Sequence, residues 1–256
     1  MHLDLSAEIH LYKIMFIDLF SKVTSMKVKN IESYFLKVRS PLMDCRACSL
    51  HYTCLQKVPG EGIASKYWLI GEAPGAQEDI YGRPFVGRAG QTLDRMLDDA
   101  DLSRDMFYVT NIVKCRPPNN RTPTPLEIRE CNWNNLYKEI SALKPKYIIP
   151  MGNTATRTIL DYYVGSTAPN ISRARSRVYR RKMAQVHPRP VADAIIPIFH
   201  PSYCLRNRLA YATTVDDFKK IKRLIETGNI LVLFRTVEWY SNGTRLSRDG
   251  SKSYDM

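Results

Sequence analysis

The chain reads as a three-layer α/β/α protein with a central four-stranded parallel sheet. Short apolar runs recur at 67–70, 107–110, 147–151 and 194–199, with helix-length amphipathic stretches between them. Strands that alternate with helices in this way pack as a parallel sheet covered on both faces. The residues with chemical character, Gly71 onward, Asn111 and His200, fall just after these runs. Ligands of such sheets sit in that place, beyond the carboxyl ends of the strands. At 256 residues and 44% hydrophobic, the chain can bury one sizeable core but not two large ones.

Taken in order, residues 1–28 read as an amphipathic or poorly ordered extension, and 29–40 as a helix leading to Pro41. Tyr67-Trp68-Leu69-Ile70 is a buried strand closed by Gly71. Residues 88–101 form a helix with Leu93, Met96 and Leu97 on one face. Phe107–Thr110 is the second strand, and 124–142 is a helix whose start is marked by Thr124 ahead of Pro125. Tyr147–Met151 is the third strand, followed by a helix at 152–160. Ala194–Phe199 is the fourth, and 213–226 the closing helix. One domain thus spans 29–228, and 229–256 is a tail that begins with the strand-like run Ile230–Phe234. Within the long segment 161–193, Arg173, Arg175, Arg177, Arg180, Arg181 and Lys182 cluster without an acid. That cluster is either a solvated hairpin or a phosphate contact. No internal repeat is present.

Lys and Arg outnumber Asp and Glu to give a formal charge of +13, which points to a polyanionic partner, nucleic acid foremost. No apolar run has transmembrane length, and the Leu11–Phe20 stretch is broken by Lys13 and Asp18 without a cleavage site after it. The expectation is a soluble, cytoplasmic protein without a membrane partner. Six cysteines are too few for a disulfide scaffold. Four of them, the pair Cys45-Arg-Ala-Cys48 and the later Cys115 and Cys131, have spacing that suits a metal centre stapling distant segments together. That centre is a cluster or a zinc ion, and the bland alternative is a set of buried thiols. Between the later two, Lys114-Cys115-Arg116-Pro117-Pro118-Asn119-Asn120-Arg121 is rigid and basic, as expected of a loop laid along phosphates.

Three motifs carry the chemistry. Gly71-Glu72-Ala73-Pro74-Gly75-Ala76-Gln77-Glu78-Asp79 runs on to Gly82-Arg83-Pro84-Phe85-Val86-Gly87-Arg88-Ala89-Gly90. Neither loop has nucleotide-binding glycine spacing. The second motif is Val109–Arg121, and the third is Phe199-His200-Pro201-Ser202-Tyr203-Cys204-Leu205-Arg206-Asn207. Together, over residues 41–226, they resemble the family-four uracil-DNA glycosylases, which carry an iron–sulfur cluster.

The resemblance implies a uracil-DNA glycosylase-like fold and a monomeric, monofunctional enzyme that flips uracil out of single- or double-stranded DNA and leaves an abasic site. Glu72 and His200 are the implied catalytic residues. Glu72 orients water or stabilises the cationic sugar, and His200 donates to uracil O2. Phe85 is similar to the family's stacking platform, and Asn111 to its base-reading amide, which accepts from N3–H and donates to O4. Gly71 and Ala73 line the base site, and Glu78 crowds C5 against thymine's methyl. Asp79 is an alternative acid–base group or a loop cap. Arg116, Arg121 and Arg206 face phosphates, and Leu205 is the wedge that fills the gap left by the base. Cys204 departs from the bulkier apolar residue usual there. Cys45, Cys48, Cys115 and Cys131 are implied to hold a [4Fe-4S] cluster, with Cys54 an incidental thiol. The rival reading is a glycosylase-like DNA-binding or replication accessory protein without catalysis.

Overall fold

A computed structural model describes residues 38–62, 65–164, 169–175, 177–181, 192–228, 235–239 and 245–246. The expected extension at 1–28, most of the helix at 29–40 and the strand-like run at 230–234 lie outside the described residues. In chain order the elements are α1 (Ser40–Met43), β1 (Tyr67–Gly71), α2 (Ala76–Tyr81), α3 (Arg88–Asp98), β2 (Phe107–Asn111), α4 (Pro125–Cys131), α5 (Tyr137–Leu143), β3 (Tyr147–Pro150), α6 (Asn153–Val164), α7 (Ile171–Ala174), β4 (Arg177–Arg181), β5 (Ala194–Ile195), α8 (Pro201–Cys204), α9 (Arg208–Thr227), β6 (Arg235–Trp239) and β7 (Arg245–Leu246).

The sheet order is β2-β1-β3-β5-β4-β6-β7. The four expected strands, β2, β1, β3 and β5, pair in parallel, with Tyr67 beside both Phe107 and Tyr147. Three further strands correct the expected count. β4 joins β5 antiparallel, and β6 and β7 extend that edge. The tail therefore contributes strands to the sheet. The fourth expected strand is shortened to Ala194–Ile195, and only a bridge between Met151 and Ile198 continues the pairing. Pro197 lies between and has no N–H to give the ladder.

Side chains alternate across the sheet into two cores. Leu69, Phe107, Val109 and Ile149 point to one face with Leu93, Met96 and Leu97 of α3 and Phe218, Ile221 and Leu224 of α9. Trp68, Ile70, Tyr108 and Ile148 point to the other, with Leu136, Ile140, Ile159 and Leu160. This is the predicted three-layer arrangement. Thr124 caps α4 as the sequence predicts. Its Oγ1 accepts from Glu127 N–H at 3.3 Å, and the Glu127 carboxylate accepts from Thr124 N–H at 2.8 Å. Between α4 and α5 the helix passes through a π turn at Asn132–Leu136. Among the described residues no helix is long and apolar enough to cross a membrane.

Candidate active site

β2 lies on one side of β1 and β3 on the other, so the chain reverses direction across the sheet at β1. Crevices at such a switch point are where open α/β sheets hold ligands. A cavity of about 610 Å³ lies there, walled by Glu72, Phe85, Asn111, Gly152, His200 and Leu205 among others. Asn111 ends β2, and Glu72, Gly152 and His200 follow β1, β3 and β5, while Phe85 and Leu205 follow the short helices α2 and α8.

Asn111 closes β2. It is 2% exposed, and its Oδ1 has no hydrogen-bond partner among the described residues. Such a buried acceptor costs on the order of 1–3 kcal/mol unless a donor meets it. The cavity at its side is where that donor enters. Gly71 closes β1 in register with Asn111, and a Cβ there would collide with Asn111 Oδ1 and the Phe85 ring. Gly71 therefore backs the site and lets these two groups approach.

Phe85 has φ +54°, a left-handed conformation that costs a bulky residue on the order of 1–3 kcal/mol. Three contacts hold it there. Arg104 donates from Nη1 to the Phe85 carbonyl at 3.1 Å and from Nη2 to the Pro84 carbonyl at 2.6 Å, while pairing with Asp94 at 2.9 Å. Gly90 leaves room for that carbonyl, which a Cβ would strike. The Glu78 carboxylate accepts from the backbone N–H groups of Gly75, Val86 and Gly87 at 3.0, 2.9 and 2.7 Å. Gly90 closes the glycine-rich motif read from the sequence, whereas Arg104 and Asp94 belong to no motif. Their signal is the uniformity of a side chain reaching loop carbonyls 19 and 20 residues away, which no periodicity records.

His200 caps α8, and its ring lies 6.0 Å from that of Phe85. Its Nδ1 accepts from Ser202 N–H at 3.1 Å and lies 2.8 Å from Ser202 Oγ. A backbone amide can only donate, so Nδ1 carries the lone pair and the neutral ring bears its proton on Nε2. Gly152, at φ +86°, gives the His200 Cβ its space. Burial pushes the imidazole down to about 4, opposed only by the nearby Glu78 carboxylate. The sign follows from this lowered value. Between about 6.5 and 4 the unfolded chain takes up a proton that the folded one refuses, so this group's contribution to stability is lost as pH falls through that window. An NMR titration of the His200 ring protons should give a midpoint near 4, and a midpoint near 6.5 would show that the ring is solvated.

The other expected site residues divide. Glu72 and Ala73 wall the cavity, as do Glu78, Arg121, Leu205 and Arg206. Leu205 is 37% exposed at the rim. Asp79 is withdrawn: its carboxylate accepts from Leu55 and Gln56 N–H at 3.0 and 3.4 Å, so it is a loop cap. The basic loop is less free than its charge suggests. Lys114 is fully buried, with Nζ 2.6 Å from both Glu139 Oε2 and Thr110 Oγ1. It therefore cannot lie on phosphates. Arg121 forks onto Glu127 at 2.8 and 2.7 Å and holds that carboxyl down to about 2. Arg116 donates to Asn120 Oδ1 at 2.8 Å and stands off the cavity wall. In the 173–182 cluster, Arg175 pairs with the buried Asp217 at 3.0 Å and stacks over Phe199. Its charge is spent inside the protein.

The four cysteines are gathered from both parts of the sequence. Cys48, Cys115 and Cys131 share one core with Cys54. The Asn135 amide donates to Cys45 Sγ at 3.4 Å and to Cys131 Sγ at 3.6 Å, and Lys114 N–H donates to Cys131 Sγ at 3.3 Å. Burial pushes the Cys131 thiol up to about 12 and raises Cys48 and Cys115, the latter with help from neighbouring Cys54. Cys54 is therefore close to the group rather than remote from it. Among the described residues no three His, Cys, Asp or Glu side chains converge tightly enough for a single ion.

Residues 59–226 match the pattern of the Uracil DNA glycosylase superfamily. The chain is 38% identical over 184 residues to the type-4 uracil-DNA glycosylase of Archaeoglobus fulgidus, covering 72% of this chain and 89% of that protein. It is also 38% identical over 189 residues to the type-4 enzyme of Thermotoga maritima, covering 71% and 90%. To that of Sulfurisphaera tokodaii it is 34% identical over 221 residues, covering 86% and 96%.

Proposed function

The chain belongs to the type-4 enzymes of the uracil DNA glycosylase superfamily, and from that premise we propose that it excises uracil flipped out of DNA and leaves an abasic site. The observation that carries the reading is the unpartnered Asn111 Oδ1 at the cavity wall. Uracil N3–H is the donor it lacks, and the same amide's Nδ2 can donate to O4. Cytosine presents the opposite pattern at both atoms. Phe85 supplies a flat apolar face for the ring. As the N1–C1′ bond breaks, its electron pair moves into the uracil ring, and His200 Nε2–H stabilises the charge on O2. Glu72 is the carboxylate for the other half of the reaction. It orients the water that adds to C1′, takes its proton and faces the cationic sugar. Glu78, which borders the cavity while stapling both glycine loops, is the candidate for excluding a C5 methyl.

Arg206 and the exposed part of Arg121 meet the backbone, with Leu205 as the wedge. Cys45, Cys48, Cys115 and Cys131 would hold a [4Fe-4S] cluster. The N–H donors directed at two of the sulfurs suit thiolates better than neutral thiols. Such a cluster supplies anchorage, tying the 45–48 segment to the loop after Lys114, and no redox step in excision needs it. The working unit spans 29–228 together with the tail strands β6 and β7 that extend its sheet, and acts as a soluble monomer.

The test is incubation with a uracil-containing oligonucleotide followed by alkali. Strand breakage at uracil is expected, and tight binding without breakage would favour a silent DNA-binding module. Purified protein should also carry iron and sulfide in near-equal amounts, against stoichiometric zinc if the centre is a single ion. A further expectation follows from the Phe85 clamp. Arg104→Ala should lower the excision rate about tenfold and Arg104→Lys less, both with Asn111 and His200 intact. An unchanged rate in Arg104→Ala would show that Phe85 holds its strained conformation without the clamp.

A further inference from the structure

Asn135 occupies an unusual place for a primary amide. It is 5% exposed, inside the π turn that follows Cys131, and bounded by apolar neighbours such as Leu136. Single π turns inserted in helices concentrate at functional sites because the extra residue re-aims the side chains around it. Cys131 and Asn135 are four positions apart, so they share a helix face. The amide uses that position to reach two sulfurs, Cys131 Sγ in its own helix and Cys45 Sγ 90 positions away in sequence. Lys114 N–H adds a second donor on Cys131. A neutral thiol is a weak acceptor, so two amide donors and a backbone donor on two sulfurs have their full value only when those sulfurs are anionic.

We propose that Asn135 is a positioning residue for the metal centre. Its amide bridges the thiolates of Cys45 and Cys131, fixes the spacing of the two segments and raises the reduction potential of the cluster they hold. The inference rests on the cluster reading above. Donors on ligating sulfurs favour the more negative, reduced cluster, because each N–H dipole offsets part of the added electron's charge. Asn135 does not line the uracil pocket, so its removal leaves Asn111, Phe85 and His200 in place.

The test uses the full-length protein purified without oxygen. Asn135→Leu keeps the branched side-chain shape and removes both donors, Asn135→Asp replaces them with a like charge, and Asn135→Gln keeps an amide on a longer stem. Potentials are read by redox titration with electron paramagnetic resonance, and cluster retention by the rate of iron release to a chelator. Expected are a more negative potential and several-fold faster iron release in Asn135→Leu, a larger change in Asn135→Asp, and partial recovery in Asn135→Gln. Loss of iron from a folded Asn135→Leu that Asn135→Gln restores has the same meaning. Variants that keep the parent's potential and release rate overturn the inference alone. Parent protein without iron overturns the cluster reading and this inference with it, while uracil excision remains a separate result. If Asn135→Leu does not fold, Asn135→Ala removes both donors with a smaller side chain.

Discussion

Asn111→Asp is expected to lower uracil excision by at least about tenfold at subsaturating DNA. The substitution changes one heavy atom at the end of β2 and leaves the Gly71 register untouched. An acceptor for N3–H remains, but the donor to O4 becomes a second oxygen, and a buried carboxylate then faces a carbonyl. Losing one hydrogen bond with an acceptor left unpaired costs roughly 1–3 kcal/mol, and more where a charge is involved. Since about 1.36 kcal/mol is a factor of ten in rate, tenfold is the lower end. The measurement is single-turnover excision across a range of enzyme concentrations. Excision at the parent rate would remove Asn111 from the base-reading role and leave its orphaned oxygen unexplained.

The sequence discloses the sheet because parallel strands bury both faces and so read as unbroken apolar runs. Trp68, Leu69 and Ile70 are all fully buried. It also discloses Asn111, Phe85 and His200, since each stands in or beside a strand-end motif. What it hides are relations that only folding creates. α2 hides within the glycine-rich loop because six residues are too few for a period to register. Asp79 and Glu78 are adjacent carboxylates, yet one accepts from the Leu55 backbone and the other from the Val86 backbone at the cavity wall. Net charge counts Lys114, Arg121 and Arg175 as surface cations, whereas Glu139, Glu127 and Asp217 hold them. Pairing between residues tens of positions apart leaves no mark on composition. The expectation of phosphate contacts along 114–121 and at Arg175 therefore narrows to the residues at the cavity rim.

His200→Ala is expected to reduce the excision rate at saturating DNA by about a hundredfold while duplex affinity stays nearly constant. A well-placed donor to a developing oxyanion is worth on the order of 3 kcal/mol, because its bond strengthens as charge grows on O2. An interaction made mainly in the transition state lowers kcat and kcat/KM together. His200 also caps α8, and loss of a cap alone costs on the order of 1 kcal/mol of stability. His200→Asn separates the two roles. Asparagine can cap the helix by accepting from Ser202 N–H, but its shorter side chain does not place a donor where Nε2–H stands. The thermal midpoint should recover in His200→Asn and the rate should not. In the parent, the rate should pass through pH 6.5 without an inflection and fall only toward about 4, where protonation of Nδ1 breaks its bond with Ser202. Recovery of rate along with stability would make His200 a helix cap and move the stabilisation of O2 to another group.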